Sequence, residues 1–381
     1  MTHRKQSIQK RNFYRFFVIN CRSLILASKK HRELLLTLLL CLLPSVATPH
    51  QGLVFLDFIG FQRDGLEATS SLPENDFVPQ ATFFYTGEAG GVKLQAEFLA
   101  NDIESQFGRL QIGFSLSPSH NLWLGRTDNP ASYWRDQYHH GGWLQPTITR
   151  PGISEYEVSG GIVPSHTTGI MLEGGSALLS NQNFGYVVTA GYGPELDEDG
   201  LKVPELSIRD RGSHNASYAF RTFYKFDGIA HGNEIGLSGS LSHIAAEQKN
   251  FTEVEQLLVA AYVNWNFGDL EIISEFVELD SDTINLNGTN VADDHFHNLY
   301  IQGVYALTTK WNLYARAEDT SNASDSTYLV NFPDFVSKRD MLGINYNLTR
   351  NQTIKLEVDR TERLSNNAYN QLTVQWSLVY P

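Results

Sequence analysis

From about residue 53 to the end of the chain, apolar and polar residues take turns. Val92, Leu94, Ala96 and Phe98 alternate with Lys93, Gln95 and Glu97; Tyr218, Phe220, Thr222, Tyr224 and Phe226 alternate with Ala219, Arg221, Phe223 and Lys225. Trp311, Leu313, Ala315 and Ala317 alternate with Asn312, Tyr314, Arg316 and Glu318, and Ile354, Leu356 and Val358 with Lys355, Glu357 and Asp359. Successive side chains of a strand point to opposite faces, so period two marks strands with one greasy and one wet face. In 270–280 the face that holds Glu271 and Glu275 also holds Ile273, Val277 and Leu279. The pattern predicts sixteen strands, with fourteen to eighteen as its limits: 53–62, 78–86, 92–100, 108–117, 120–126, 168–175, 184–193, 216–227, 233–243, 254–267, 269–280, 295–307, 310–320, 337–348, 353–363 and 369–380.

A soluble sandwich would alternate too, but two features point elsewhere. Most of these strands run to about nine to twelve residues, where globular strands average about five or six and tilted bilayer-crossing strands need about 9–11. The links also alternate. They are generally short after even-numbered strands (Pro118-Ser119, Gly268, Thr308-Thr309) and mostly long after odd ones (63–77, 127–167, 194–215, 281–294, 321–336). Short turns at one end and long loops at the other characterise outer-membrane barrels. The expected fold is therefore all-β: a transmembrane, antiparallel, up-and-down β-barrel, closed because hydrocarbon leaves no partner for an open sheet edge. The apolar faces then meet lipid and the polar faces enclose the interior. Phe226, Trp265, Phe267, Tyr305, Trp311, Tyr346, Trp376 and Tyr380 fall on the outward parity at the short-turn ends, where amphipathic rings suit the headgroup level.

The composition agrees. Of 381 residues, 41% are hydrophobic, 12% aromatic and 19% charged, which excludes a disordered acidic chain. The net charge of −13 argues against a nucleic-acid partner, which requires Lys and Arg to neutralise phosphates. Residues 1–32 carry nine Lys/Arg and no Asp/Glu, a ten-residue apolar run follows at 34–43, and then come Pro44 and Ser45-Val46-Ala47. Basic, short apolar, small is the order of a secretory signal peptide. Residues 1–47 are thus expected to be removed, leaving 48–381 as one barrel domain. Removal takes nine basic residues, one acidic residue and both cysteines, Cys21 and Cys41, so the exported domain has neither disulfides nor thiolate chemistry.

The last strand places Leu372, Val374, Trp376, Leu378 and Tyr380 on one face, followed by Pro381. It resembles the C-terminal signal of Gram-negative outer-membrane proteins that the barrel-assembly machinery reads. The segment Leu122-Trp123-Leu124-Gly125-Arg126-Thr127-Asp128-Asn129-Pro130, with Trp134 beyond it, resembles the porin families, including phosphate-selective-type porins. That resemblance implies a passive channel for small hydrophilic solutes or ions in the outer membrane, lipid and lipopolysaccharide as surroundings, and a homotrimer as the family's common assembly. It further implies that the long link after strand five, 127–167, folds inward and narrows the pore. Constriction candidates on that link are Asp128, Arg135, Asp136 and Arg150, with His139, His140, Glu155 and Glu157 beside them; on the inward strand parity they are Arg221, Lys225, Glu271, Glu275, Arg316 and Glu318. Opposed charges across a narrow channel order polar solutes. Inward charges on the clearer strands number six against six, so no strong ion selectivity is predicted. Acidic external links suit divalent cations that bridge lipopolysaccharide, although a solvated surface is the simpler reading.

The alternative is a barrel that works as a hydrolase or adhesin. The sequence has no G-x-S-x-G, no H-E-x-x-H and no P-loop. The adjacent pair His139-His140 would point to opposite faces of a strand, and Asp197-Glu198-Asp199-Gly200 lacks the spacing of a calcium loop. The expectation is a non-enzymatic protein with no cofactor and no metal.

Overall fold

The computed structural model describes residues 50–66, 72–101, 105–138, 141–157, 160–176, 178, 183–197, 200–202, 215–226, 232–246, 252–284, 288–323, 326–365 and 368–381. The export segment 1–47 and the His139-His140 pair lie outside the described residues.

Eighteen strands are described. They are β1 (His50–Asp64), β2 (Asn75–Ala89), β3 (Val92–Asn101), β4 (Ser105–Ser117), β5 (His120–Asp128), β6 (His166–Gly175), β7 (Phe184–Tyr192), β8 (Glu195–Asp197), β9 (Gly200–Lys202), β10 (Ala216–Lys225), β11 (Glu234–Ala246), β12 (Glu253–Phe267), β13 (Leu270–Ile284), β14 (Asn290–Ala306), β15 (Trp311–Ser321), β16 (Val336–Thr349), β17 (Gln352–Arg363) and β18 (Ala368–Tyr380). Sixteen form a closed antiparallel barrel in which each strand pairs with its neighbours in the chain. β7 pairs directly with β10, and the small hairpin β8–β9 attaches to the end of β11. Closure joins the first strand to the last, from Val54↔Tyr380 to Asp64↔Asn370. Among the described residues no helix is long and apolar enough to cross a membrane.

The alternation becomes two surfaces. On β12, Leu257 and Val259 are exposed while Gln256, Leu258 and Ala260 are buried; on β17, Ile354, Leu356 and Val358 are exposed while Thr353, Lys355 and Glu357 are buried. The outward aromatics cluster towards the short-turn end. Trp311 packs on Tyr346 at 4.3 Å between ring centres, Phe226 on Trp265 at 4.9 Å, and Phe58 on Trp376 at 5.3 Å. Register runs from Tyr346 through Ile354 to Trp376 and Phe58, which makes part of a continuous belt. Leu372, Val374, Trp376 and Tyr380 of the terminal strand face outward and are exposed, and Leu378 is half-buried.

Two regions differ from the sequence pattern: the link expected at 194–215 contains the β8–β9 hairpin, and a second link is shortened. The link expected at 281–294 is mostly strand, because β13 and β14 continue pairing through Asp280↔His295, Ser281↔Asp294 and Asp282↔Asp293. Hydropathy sees a strand only while one face is apolar. A ladder that continues with polar side chains on both faces keeps its backbone bonds and reads as loop.

Candidate functional site: the barrel lumen

The link after β5 occupies the interior. It opens with Asn129, whose Oδ1 accepts from the Ala131 N–H (2.9 Å), and continues into a short helix, α1 (Tyr133–Tyr138). This part is fixed to the wall made by β10–β15. Ser238 Oγ donates to the Ala131 carbonyl (2.8 Å), the Tyr133 N–H donates to Glu275 Oε1 (3.0 Å), and Asn264 Nδ2 donates to the Tyr133 hydroxyl (2.7 Å). Arg221 pairs with Asp136 at 2.5 Å and with Glu234 at 3.2 Å.

Apolar packing supplies the larger contact. Tyr133 stacks on Tyr262 at 4.5 Å, Trp134 meets Tyr300 edge-on at 6.4 Å, and the Arg316 guanidinium lies 5.7 Å from the Trp134 ring centre. Ile153, Ile162 and Val163 of the link join Leu258, Val277, Leu279 and Phe296 of the wall in one buried cluster. The external link 322–335 adds Tyr328, Leu329, Phe332 and Phe335, and Tyr328 donates to the Ile162 carbonyl at 2.7 Å. The expectation of a polar interior is therefore corrected on this side. The inner faces of β10–β14 carry a hydrophobic core, because a loop laid on them excludes water as a second sheet would.

Beyond α1 the link crosses the lumen, and wall charges take up its backbone. Lys355 Nζ donates to the carbonyls of Gly142 (2.6 Å), Gln145 (2.6 Å) and Thr147 (3.2 Å). Glu357 accepts from the Ile148 N–H (2.9 Å) and the Thr149 hydroxyl (2.6 Å); Glu318 accepts from the Gly152 N–H (2.7 Å); Asp57 accepts from the Gly142 N–H (3.1 Å). Arg316 and Arg339 both donate to the Arg150 carbonyl, at 2.7 and 2.8 Å. An irregular segment has no strand neighbour for its N–H and C=O groups, and buried ones must find partners. Here carboxylates meet the amides and cations meet the carbonyls. At Gly142 a Cβ would lie 2.2 Å from the Gln375 amide nitrogen and 2.6 Å from the Asp57 carboxylate, so a larger residue would displace the ends of those two side chains.

Where the link returns to β6 a buried ionic cluster closes it. Arg135 donates to Ser165 Oγ (2.7 Å) and to the Val163 carbonyl (3.2 Å), and Glu157 accepts from the Ser165 N–H at 2.6 Å. Burial opposes ionisation of Glu157, yet the His166 ring and Arg135 hold its carboxyl down at about 2. Arg109 pairs with Asp128 and lies 3.8 Å from Glu97.

The sequence-selected charges therefore divide. Arg221, Glu275, Arg316 and Glu318 point inward but serve as anchors beneath the link; Arg135 is buried inside it, and Asp128 and Asp136 are tied to Arg109 and Arg221. Lys225 and Glu271 are half-buried, Lys225 lying 3.5 Å from Glu234. Arg150 of that set lines one of the spaces left in the lumen. That space is a cavity of about 210 Å³ between residues 142–156 of the link and the inner faces of β1–β4 and β18. Gln80, Asn101, Gln106 and Gln375 line its wall side together with Asp57 and Glu97, and Gln145, Arg150, Glu155 and Tyr156 line its loop side. A search for charge passes over the amides; only the alternation of β2, β3, β4 and β18 could have placed them inside. Among the described residues no group of three or more His, Cys, Asp or Glu side chains is set to hold a metal ion.

No protein-family model matches the chain, and no curated protein matches it in sequence. Solved structures do match in fold. The anion-selective porin from Comamonas acidovorans superposes with a TM-score of 0.59 at 10% identity, covering 87% of this chain and 100% of that one. Salmonella typhi OmpF, in complex with daunomycin, gives 0.58 at 11% identity with 87% and 98% coverage. The outer-membrane channel DcaP of Acinetobacter baumannii gives 0.58 at 8% identity with 89% and 99% coverage. Likeness at such low identity is one of architecture, and this chain has the sixteen-stranded barrel of these porins.

Proposed function

We propose that the protein is an outer-membrane porin, a water-filled channel for passive diffusion of small hydrophilic solutes. One observation carries this reading: a closed barrel, greasy outside, holds a loop that fills one side of its lumen and leaves a polar-lined cavity along the other. An apolar outer belt with flanking aromatics suits a bilayer, and a lumen lined by amides and charged groups suits hydrated solutes. On this reading residues 1–47 direct export, the outward face of β18 is the handle for the barrel-assembly machinery, lipid and lipopolysaccharide surround the belt, and three barrels associate as porins commonly do.

The test is conductance. Purified protein added to a planar bilayer is expected to give stepwise, ohmic openings. A silent bilayer, or hydrolysis of added lipid without openings, would favour the barrel hydrolase or adhesin instead.

A further inference from the structure

We propose that the narrow passage selects neutral polyhydroxylated solutes, sugars of about monosaccharide size, over ions of the same size. The inference rests on the channel reading and adds the solute class to it.

Three observations meet in the cavity. First, most of its uncharged polar groups are side-chain amides drawn from β2, β3, β4, β18 and the loop, Gln80, Asn101, Gln106, Gln375 and Gln145, with the Tyr156 hydroxyl and the His166 ring beside them. An amide offers both donors and an acceptor, the set that a hydroxyl, itself donor and acceptor, can satisfy from any side. Second, the Gln375 side chain is 2% exposed, and its Oε1 is buried with no hydrogen-bond partner among the described residues, although the residue lines the cavity. A buried acceptor left open is costly, and a turn of the Gln375 amide towards the cavity would let a solute hydroxyl answer it. Third, the charges do not favour an ion. Arg150 and Glu155 are the half-buried charged pair of the lining, one of each sign. Asp57 and Glu97 are almost fully buried, Asp57 held by the Gly142 N–H and the Ser377 hydroxyl and Glu97 beside Arg109. Ile59, Leu99 and Ile148 complete the lining and offer aliphatic surface to the C–H faces of a sugar ring. Amides for hydroxyls, methyl groups for ring carbons and a locally cancelled charge describe a carbohydrate filter.

The experiment uses the full-length exported protein in liposomes, after its conductance in potassium chloride has been recorded. Swelling rates are compared for glucose, gluconate and protonated glucosamine, which share size and differ in charge. Glucose is expected to enter several-fold faster than either charged analogue. Gln375→Leu and, because Gln80 is less buried and tolerates change more readily, Gln80→Leu are each expected to lower the ratio of glucose entry to potassium chloride conductance about two- to tenfold, the scale of one lost hydrogen bond. Equal rates for the three solutes, faster entry of a charged one, or both variants conducting glucose as well as the parent would overturn the proposal and leave a plain size sieve. Absence of conductance at the first step would remove the channel reading itself, so the two failures are distinguishable.

Discussion

The two walls of the lumen are built from the same alternating pattern and end up as different materials. On β10–β14 the inward positions include Phe223, Leu258, Ile273, Val277, Leu279 and Phe296, and a loop covers them. On β1–β4 and β18 they include Asp57, Gln80, Glu97, Gln106 and Gln375, and a cavity remains. The difference teaches that inverting a protein for a bilayer does not abolish an aqueous-type core; it confines that core to one side of the barrel. Loop position follows. A segment carrying Tyr133, Trp134, Ile153, Ile162 and Val163 moves to the apolar wall because burying each large side chain is worth about 1.5–3 kcal/mol, and the polar wall is left to water. The width left in the lumen is thus decided largely by residues that do not line it.

The comparison breaks most completely at Trp134, 1% exposed and packed against Tyr300 and Tyr138. Trp134→Ala should cost about 3–5 kcal/mol of core packing. It should release the first half of the loop, so unfolding in detergent should occur at lower denaturant and single-channel conductance should rise. Unchanged conductance would mean that the loop is held by its ionic anchors alone. Lys355→Met tests the seam between the walls. It removes the donor shared by three loop carbonyls but keeps the chain volume, and water in the lumen replaces part of the loss. A stability loss of about 1–3 kcal/mol is expected, with noisier and larger openings as residues 142–149 loosen. Quiet openings of normal size would show that Glu357 and Arg316 suffice.

Much of the fold was legible in the chain. The places of the sixteen barrel strands and the outward belt follow mostly from period two, except that the alternation does not fix the register of 121–126, and the long link after the fifth strand follows from the lengths of the links. The apolar wall was visible in part: the mixed face of β13, with Ile273, Val277 and Leu279 beside Glu271 and Glu275, is the inward surface on which the loop rests. What parity could not supply is which inward charges face solvent and which face loop backbone. Arg316 and Glu318 carry the same inward parity as Lys225 and Glu271, yet they bind the Arg150 carbonyl and the Gly152 amide from behind. That distinction depends on the three-dimensional path of an irregular segment, whose course is set by contacts more than a hundred residues away in sequence. The amide lining was illegible for a simpler reason: Gln and Asn are as common at any wet position as at this one.

The smallest effect on stability, and the most informative one about the open wall, is expected at Arg150 and Glu155. Neither anchors the core, so Arg150→Ala and Glu155→Gln should each shift unfolding by within about 0.5 kcal/mol, the usual range for substitutions away from packed features. Their effect should appear in the reversal potential across a potassium chloride gradient. With the pair intact the passage is near neutral; Arg150→Ala should move it towards cations and Glu155→Gln towards anions. The pH dependence has a definite sign. Burial raises the Glu155 carboxyl above its ordinary value, with Arg150 and Arg339 opposing. Acidification should therefore discharge Glu155 before ordinary carboxylates, leave Arg150 uncompensated, and tilt the parent protein towards anions at a pH where exposed acids are still ionised. Glu155→Gln, already discharged, should lack that step. A parent and a variant that titrate alike would place the responsible carboxylate elsewhere, and Asp57 and Glu97 on the opposite wall would be the groups to exchange next.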